Sequence, residues 1–302
     1  MDLWEISCLL TIFFLYLCIL FFSRSITNSF LMDNVIKVLY VTQEICPYLP
    51  ESEIADICRK LPQAIQEKGK EIRTFMPKFG CINERRNQLH EVIRLSGMNL
   101  IIDDTDHQLI IKVASIQAAR MQVYFIDNDD YFNRKSTTQD ENGEDFDDNE
   151  DRAIFFARGV IETVKKLRWT PDILHCHGWM TALMPIYIKK ALHDDPFFSK
   201  AKVIYSIYDN GFSKHFSPQF AQKSILEGIE KTDLKSVQND GSFDAVTRLA
   251  IDFSDGVIAA SENVNTELLE YAKKSQKMTL PYQSPENYVN SYNEFYDQIV
   301  GQ

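Results

Sequence analysis

The stretch Thr170-Pro171-Asp172-Ile173-Leu174-His175-Cys176-His177-Gly178-Trp179-Met180-Thr181-Ala182-Leu183 decides the reading of this chain. A β-type run ends in two histidines whose spacing of two puts both rings on one side of a strand, and a helical pattern opens at about Gly178. Polar groups therefore converge at the carboxyl end of a strand beside a helix N-terminus. A doubly wound sheet binds ligands at such a place, and anionic or hydroxyl-rich partners are favoured there. From the residues alone two readings stand, a ligand site or a pair of hydrogen-bonded structural histidines. Zinc finds no third and fourth ligand nearby.

Outward from this segment the chain keeps a strand-and-helix rhythm. Residues 35–42 form a β-rich apolar run, after which Ile54, Ile57, Leu61 and Ile65 recur at helical spacing until Gly69 supplies a stop. Residues 71–76, 202–207 and 256–260 read as further strands, and 152–167, 180–192, 218–229, 243–253 and 263–272 as helices. The alternation predicts an α/β fold, a doubly wound parallel sheet. Two insertions interrupt it. β-type runs with turn signals between residues 90 and 132 predict an antiparallel excursion beside the main sheet. Residues 140–151 carry eight acids, and that much like charge with so little apolar surface predicts a solvated connector.

The 302 residues are 45% apolar and 25% charged, enough to bury a core and unlike a collagenous, disulfide-stapled or wholly disordered chain. The net charge of −11 falls to −3 without the eight acids of that run, so the acidity is local. A nearly neutral body with no Lys/Arg stripe argues against nucleic acid as a partner. Six cysteines with no C-x-x-C pair match neither a zinc spacing nor a secreted disulfide framework, and predict reduced thiols. Residues 6–23 are uncharged with 15 apolar positions, just reaching the roughly 18–20 that span a bilayer. Acids precede this stretch and Arg24 follows it, so as a membrane anchor it would leave the body in the cytoplasm. Alternatively, residues 1–31 are upstream sequence and translation starts at Met32, with no membrane contact. Both readings predict a cytoplasmic body.

No G-x-G-x-x-G follows the first strand, and neither a P-loop nor a G-x-S-x-G elbow occurs in the chain. Other segments carry a resemblance. The run Val38-Leu39-Tyr40-Val41-Thr42-Gln43-Glu44-Ile45-Cys46-Pro47-Tyr48 is similar to a strand followed by an E-x-x-P-x-x-K-T-G-G-L loop. Ala55-Asp56-Ile57 through Leu61-Pro62-Gln63-Ala64-Ile65 looks like A-D-V-x-x-x-L-P-x-A-L, and Gly69-Lys70-Glu71-Ile72 through Pro77-Lys78-Phe79-Gly80 like G-H-x-V-x-x-x-x-P-x-Y-G. Trp169 through Leu183 mirrors W-x-P-D-I-x-H-x-H-D-W-x-T-A-L. Together, over about residues 35–272, the chain resembles the N-terminal half of the bacterial glycogen synthase and plant starch synthase family, GT-B glycosyltransferases with two Rossmann-like domains.

The resemblance implies a synthase-like catalytic domain at 32–272, after the hydrophobic segment at 1–31 and before a connector with an amphipathic helix at 273–302. It implies retaining transfer of glucose from ADP-glucose, in preference to UDP-glucose, to the 4-hydroxyl of an α-1,4-glucan, with no metal or other cofactor. No residue is singled out as catalytic. His177, Trp179 and Asn210 are implied to bind substrate in a sugar-sized cleft with Glu51 and Glu53 at its rim. The departures are as informative. Pro50-Glu51-Ser52-Glu53 replaces the Lys-Thr-Gly-Gly turn that approaches the donor diphosphate, Gly178 replaces an aspartate, and Ser206-Ile207-Tyr208-Asp209-Asn210 stands for the family's T-I-H-N loop. The family's nucleotide-gripping second domain has no counterpart before Gln302. An isolated chain that transfers no glucose is therefore expected, served by a subunit that supplies the other half, or else a non-catalytic glucan-binding or regulatory relative. Tyr288, Tyr292, Phe295, Tyr296 and Ile299 form one apolar helical stripe with Ser284 as its expected N-cap and Pro285 next to it. The resemblance implies that this helix crosses back onto the sheet.

Overall fold

The computed structural model describes residues 35–301, so the apolar stretch 6–23 and the start at Met32 lie outside the described residues. The strands are β1 (Lys37–Thr42), β2 (Glu71–Pro77), β3 (His90–Glu91), β4 (Met98–Ile102), β5 (Thr105–Ile116), β6 (Met121–Asp127), β7 (Ile173–His177), β8 (Lys202–Ile207), β9 (Gly256–Ala259) and β10 (Met278–Leu280). The longer helices are α1 (Glu53–Glu67), α2 (Asn149–Leu167), α3 (Phe243–Asp252), α4 (Thr266–Lys274) and α5 (Tyr288–Val300). The sheet runs β10-β9-β8-β7-β1-β2-β6-β5-β3, with β4 paired to β5. The strands from β10 through β6 are parallel; β5 is antiparallel to β6, and β3 and β4 are antiparallel to β5, as the turn signals predicted.

The central strands read as nearly continuous apolar runs because both of their faces are buried. Val38, Tyr40, Ile173, Ile204 and Ile258 face one way and pack with Leu61 and Ile65 of α1 and with α5. Leu39, Val41, Leu174, Cys176, Val203 and Val257 face the other way, into the core that contains α2, α3 and α4. The order reverses at β1, which has β2 on one side and β7 on the other. The topological crevice of the sheet therefore lies between the carboxyl ends of β1 and β7, where Thr42 pairs with His177.

Two expected helices are broken. Residues 180–192 divide into a 3-10 turn (Trp179–Thr181), a short α turn (Met184–Ile186) and a π turn (Tyr187–Ala191), with Pro185 removing a backbone donor. The helix expected at 218–229 shrinks to Phe220–Lys223. The acidic run is also not the solvated connector its composition suggested. Asp145 accepts the Ser213 and Lys214 N–H groups at 2.7 and 2.9 Å, and Glu150 accepts the Ser217 hydroxyl at 2.6 Å and Lys223 Nζ at 2.9 Å. Asp148 pairs with Arg134, and the buried Arg152 lies over the rings of Phe79, Phe132 and Phe146. Composition counted the charges but could not show the amides and cations that long-range packing brings to them.

α5 lies on the face of the sheet formed by β1, β7, β8 and β9, with Tyr292, Phe295, Tyr296 and Ile299 buried and Tyr288 half-buried. Lys70 fixes it from outside through Asn293 Oδ1 and Asp297, each at 2.8 Å. The cap expected at Ser284 does not form. Its carbonyl accepts the Asn287 and Tyr288 N–H groups, while its hydroxyl meets the Asn287 side-chain amide at 3.4 Å. Gly256 permits the close approach of α5, since a Cβ there would stand 2.4 Å from Ile299 Cδ1 and 2.9 Å from the Phe295 ring. Phe295→Ala is expected to cost about 3–5 kcal/mol and Gly256→Ala about 1–3 kcal/mol in urea unfolding. Unchanged midpoints for both would mean that α5 is not seated there.

Candidate functional site at the switch point

His175 and His177 alternate along β7 with Leu174 and Cys176, so both rings turn toward α5 and their centroids stand 3.9 Å apart. Neither ring is exposed to solvent. His175 Nδ1 lies 2.7 Å from the Tyr296 hydroxyl and its Nε2 lies 2.7 Å from Ser206 Oγ; the Tyr296 hydroxyl is also 3.2 Å from that of Tyr40. His177 Nδ1 meets the Tyr208 hydroxyl at 2.8 Å, and its buried Nε2 has no partner among the described residues. Burial keeps the imidazoles neutral. It pushes His177 down to about 3 and, with the neighbouring His177, holds His175 well below the usual histidine value. The same loss of water raises the phenols of Tyr40, Tyr208 and Tyr296.

Beside the histidines, Gly178 adopts φ +83, and a Cβ there would lie 2.5 Å from Gln43 Oε1. That oxygen accepts the Met180 N–H at 3.4 Å. Gln43 thus fills the space that a side chain at 178 would need, which accounts for glycine where the resemblance expects aspartate. Across the crevice, Ser52 caps α1 by accepting the Ala55 N–H at 3.1 Å, and its hydroxyl donates to Glu44. Glu53 and Asp56 stand in the first turn. The Glu53 carboxylate accepts from the Ser261 hydroxyl, whose oxygen accepts the Asp209 N–H at 3.1 Å. This chain ties the start of α1 to the segments leaving β8 and β9.

The three residues expected to line one cleft have different surroundings. His177 is sealed beneath Tyr208 and beside Tyr40, and Trp179 turns inward, edge-on to Phe212 at 5.1 Å and Phe216 at 5.9 Å. Asn210 is half-buried, its Oδ1 buried without a partner among the described residues, and Glu51 is exposed. Sequence reading missed Tyr40, Ser206, Tyr208 and Tyr296 as partners of the histidines, and Gln43 as the side chain beside Gly178. Strand parity carried a signal for two of them: Tyr40 pairs with His175 and Ser206 with His177 across the ladder, on the same face.

Two outcomes follow. Both histidines bind protons more readily when unfolded, so their contribution is complete above the unfolded value near 6.5 and is lost as pH falls toward the depressed folded values, at up to about 1.4 kcal/mol per histidine per pH unit. Urea midpoints of the wild type should fall more steeply between pH 6.5 and 4.5 than those of His177→Gln; equal slopes would contradict neutral burial. Gly178→Asp is expected to cost about 2 kcal/mol or more, from positive φ and overlap with Gln43. Adding Gln43→Ala should recover part of that loss, and full additivity would exclude the overlap.

Comparison with known proteins gives the site its context. The family model described as starch synthase catalytic domain matches residues 37–280. A glycogen synthase of Chlorobium limicola is 40% identical over 174 residues, covering 57% of this chain and 36% of that protein. A glycogen synthase of Chlorobaculum tepidum is 39% identical over 204 residues, covering 64% of this chain and 42% of that protein. The solved catalytic domain of Starch Synthase IV from Arabidopsis thaliana, bound to ADP and acarbose, superimposes with a TM-score of 0.65 at 18% identity, covering 82% of this chain and 51% of that one. The chain spans about two fifths of the length of the glycogen synthases it matches. With its β1 loop, its paired histidines and its doubly wound sheet in that order, the chain belongs to the starch synthase catalytic domain family.

Proposed function

We propose that this chain is a glucan-holding member of the glycogen/starch synthase family that does not transfer glucose by itself. The observation that carries this is the state of the α1 N-terminus. Transfer from ADP-glucose needs preorganised positive charge for the leaving diphosphate, and helix amides with a cation beside them would supply it. Here Ser52 takes up the Ala55 amide, Glu53 and Asp56 fill the first turn, and Glu53 is tied to Ser261. A phosphate arriving there meets carboxylates where the family motif offers lysine and glycines. The sealed ring of His177 points the same way, because a donor sugar would reach it only after the side chains around it move.

Activity on this reading needs a second polypeptide that supplies the cations, with an α-glucan as acceptor. The unpartnered Asn210 Oδ1 at the carboxyl edge supports a retained contact for a sugar hydroxyl. A cytoplasmic body is part of this reading, supported by the charges that flank residues 6–23 and by cysteine spacing that fits neither a zinc site nor a secreted disulfide framework; among the described residues no helix is long and apolar enough to cross a membrane.

The test is glucosyl incorporation from ADP-glucose into glycogen by the pure full chain, alongside calorimetric titration with ADP. Neither transfer nor ADP binding is expected. Replacing Pro50→Lys, Glu51→Thr, Ser52→Gly and Glu53→Gly together should create ADP binding. Incorporation by the wild-type chain that is lost in His177→Ala would overturn the reading.

A further inference from the structure

The chain contains two Asn-Gly dipeptides, at 142–143 and 210–211, and the fold gives them different surroundings. Asn142 and Gly143 are both exposed at the tip of the acidic run. The turn is closed beneath them, where the Asp140 N–H donates to Glu144 O at 2.9 Å and Gln139 pairs with Asp145. Gly143 adopts φ +81, and a Cβ there would meet no atom within 4 Å, so nothing crowds the tip from outside. Its N–H rests on Asp140 O at 3.1 Å, and a bond at an exposed loop tip is among the first to open. The Asn142 side-chain amide has one long contact, 3.4 Å to Asp140 Oδ2. Asn210 differs: its Oδ1 is buried, and a Cβ on Gly211 would stand 3.0 Å from the Phe243 ring.

Asparagine followed by glycine rearranges without an enzyme where the unshielded glycine nitrogen can reach the asparagine side chain. Hydroxide from solvent takes the Gly143 amide proton, and the nitrogen attacks Asn142 Cγ. A C–N bond forms, a succinimide ring closes, and the side-chain nitrogen takes up a proton and leaves as ammonia. Water then opens the ring at either carbonyl, to aspartate or to isoaspartate, so one water enters for each ammonia lost and nothing is oxidised or reduced. We infer that Asn142-Gly143 is a site of spontaneous deamidation, and that its isoaspartate product releases the loop carrying Asn210, Phe212 and Phe216. Isoaspartate routes the main chain through the side-chain carbon and so lengthens the tip between Asp140 and Glu144. Asp140 Oδ1, which accepts the Asn142 and Glu144 N–H groups at 2.8 and 3.0 Å, then loses that geometry, and a new carboxylate stands beside its own. Asp145, which holds the amides of Ser213 and Lys214, directly follows this closure. The rearrangement requires neither glucan nor nucleotide.

The experiment ages the full chain at mildly alkaline pH and follows it by tryptic mass mapping, isoaspartyl methyltransferase labelling and amide hydrogen exchange. A gain of about 1 Da and methyl labelling are expected in the peptide 136–152, with conversion about tenfold greater than at Asn210 over the same time. Exchange at the Ser213 and Lys214 amides should rise with the isoaspartate fraction. Asn142→Ala, aged in parallel, should show no mass gain in that peptide and no rise in exchange; Asn142 is exposed with a single side-chain contact at 3.4 Å, so this variant keeps the fold. No mass gain at Asn142, or a gain at Asn210 as large, would overturn the site. A gain at Asn142 with unchanged exchange at Ser213 and Lys214 would overturn the release of the loop.

Discussion

The hydroxyl of Tyr296, 2.7 Å from His175 Nδ1, is the contact on which the rest of this structure depends. Two imidazoles sit side by side in a dry interior, where an unpaired polar atom costs about 1–3 kcal/mol. Ser206 and Tyr296 satisfy the first ring and Tyr208 satisfies half of the second. These partners come from β8, from the loop beyond it and from α5, so the polar pair decides the register of three elements. Apolar burial then follows around it. Phe295 and Ile299 can reach Gly256 only because the helix is already held above β7, and Lys70 holds its outer side.

The same edge of the sheet shows how a helix N-terminus can be satisfied by the chain itself. A helix N-terminus attracts an anion whether the anion belongs to a ligand or to the chain itself. At α1 the chain supplies its own, Glu53 and Asp56, while Ser52 takes the amide of Ala55. Ser261 then carries Glu53 across to the Asp209 amide, so the closure also braces the segments leaving β8 and β9. The two effects are linked: removing Glu53 would change the charge at the α1 start and also free Ser261 and loosen that edge.

Much of the fold was legible because it is written in local chemistry. The continuous apolar runs of residues 35–42 and 202–207, the histidine spacing of two and the aromatic stripe of α5 all act through neighbours a few positions away, which is what local sequence patterns report. The site was legible only in part. His175 and His177 were placed on one face from spacing alone, yet their burial depends on Tyr208, 31 residues from His177, and on Tyr296, 121 residues from His175. No local pattern encodes such distances. The inward packing of Trp179 was hidden for a similar reason, since Phe212 and Phe216 come from a loop whose position is set by partners outside it.

Those partners are the acids of residues 145–150. Asp145 gathers the amides of Ser213 and Lys214, and Glu150 holds Ser217 and Lys223, so the loop carrying Asn210, Phe212 and Phe216 is pinned at its far end. Charge density that looked like a reason for disorder becomes a reason for order once each carboxylate meets a donor in a partly buried setting. The burial of Trp179 is then a consequence of the acidic run, because Phe212 and Phe216 stack with each other at 4.3 Å and meet the indole edge-on from the pinned loop. Gln43 completes the arrangement from the opposite wall by taking the volume beside Gly178. Acid run, aromatic wedge and glutamine therefore act in one direction: they close the segment that leaves β7, Gly178 from the side of Gln43 and Trp179 from the side of Phe212 and Phe216, while His175, Tyr208 and Tyr40 surround the His177 ring.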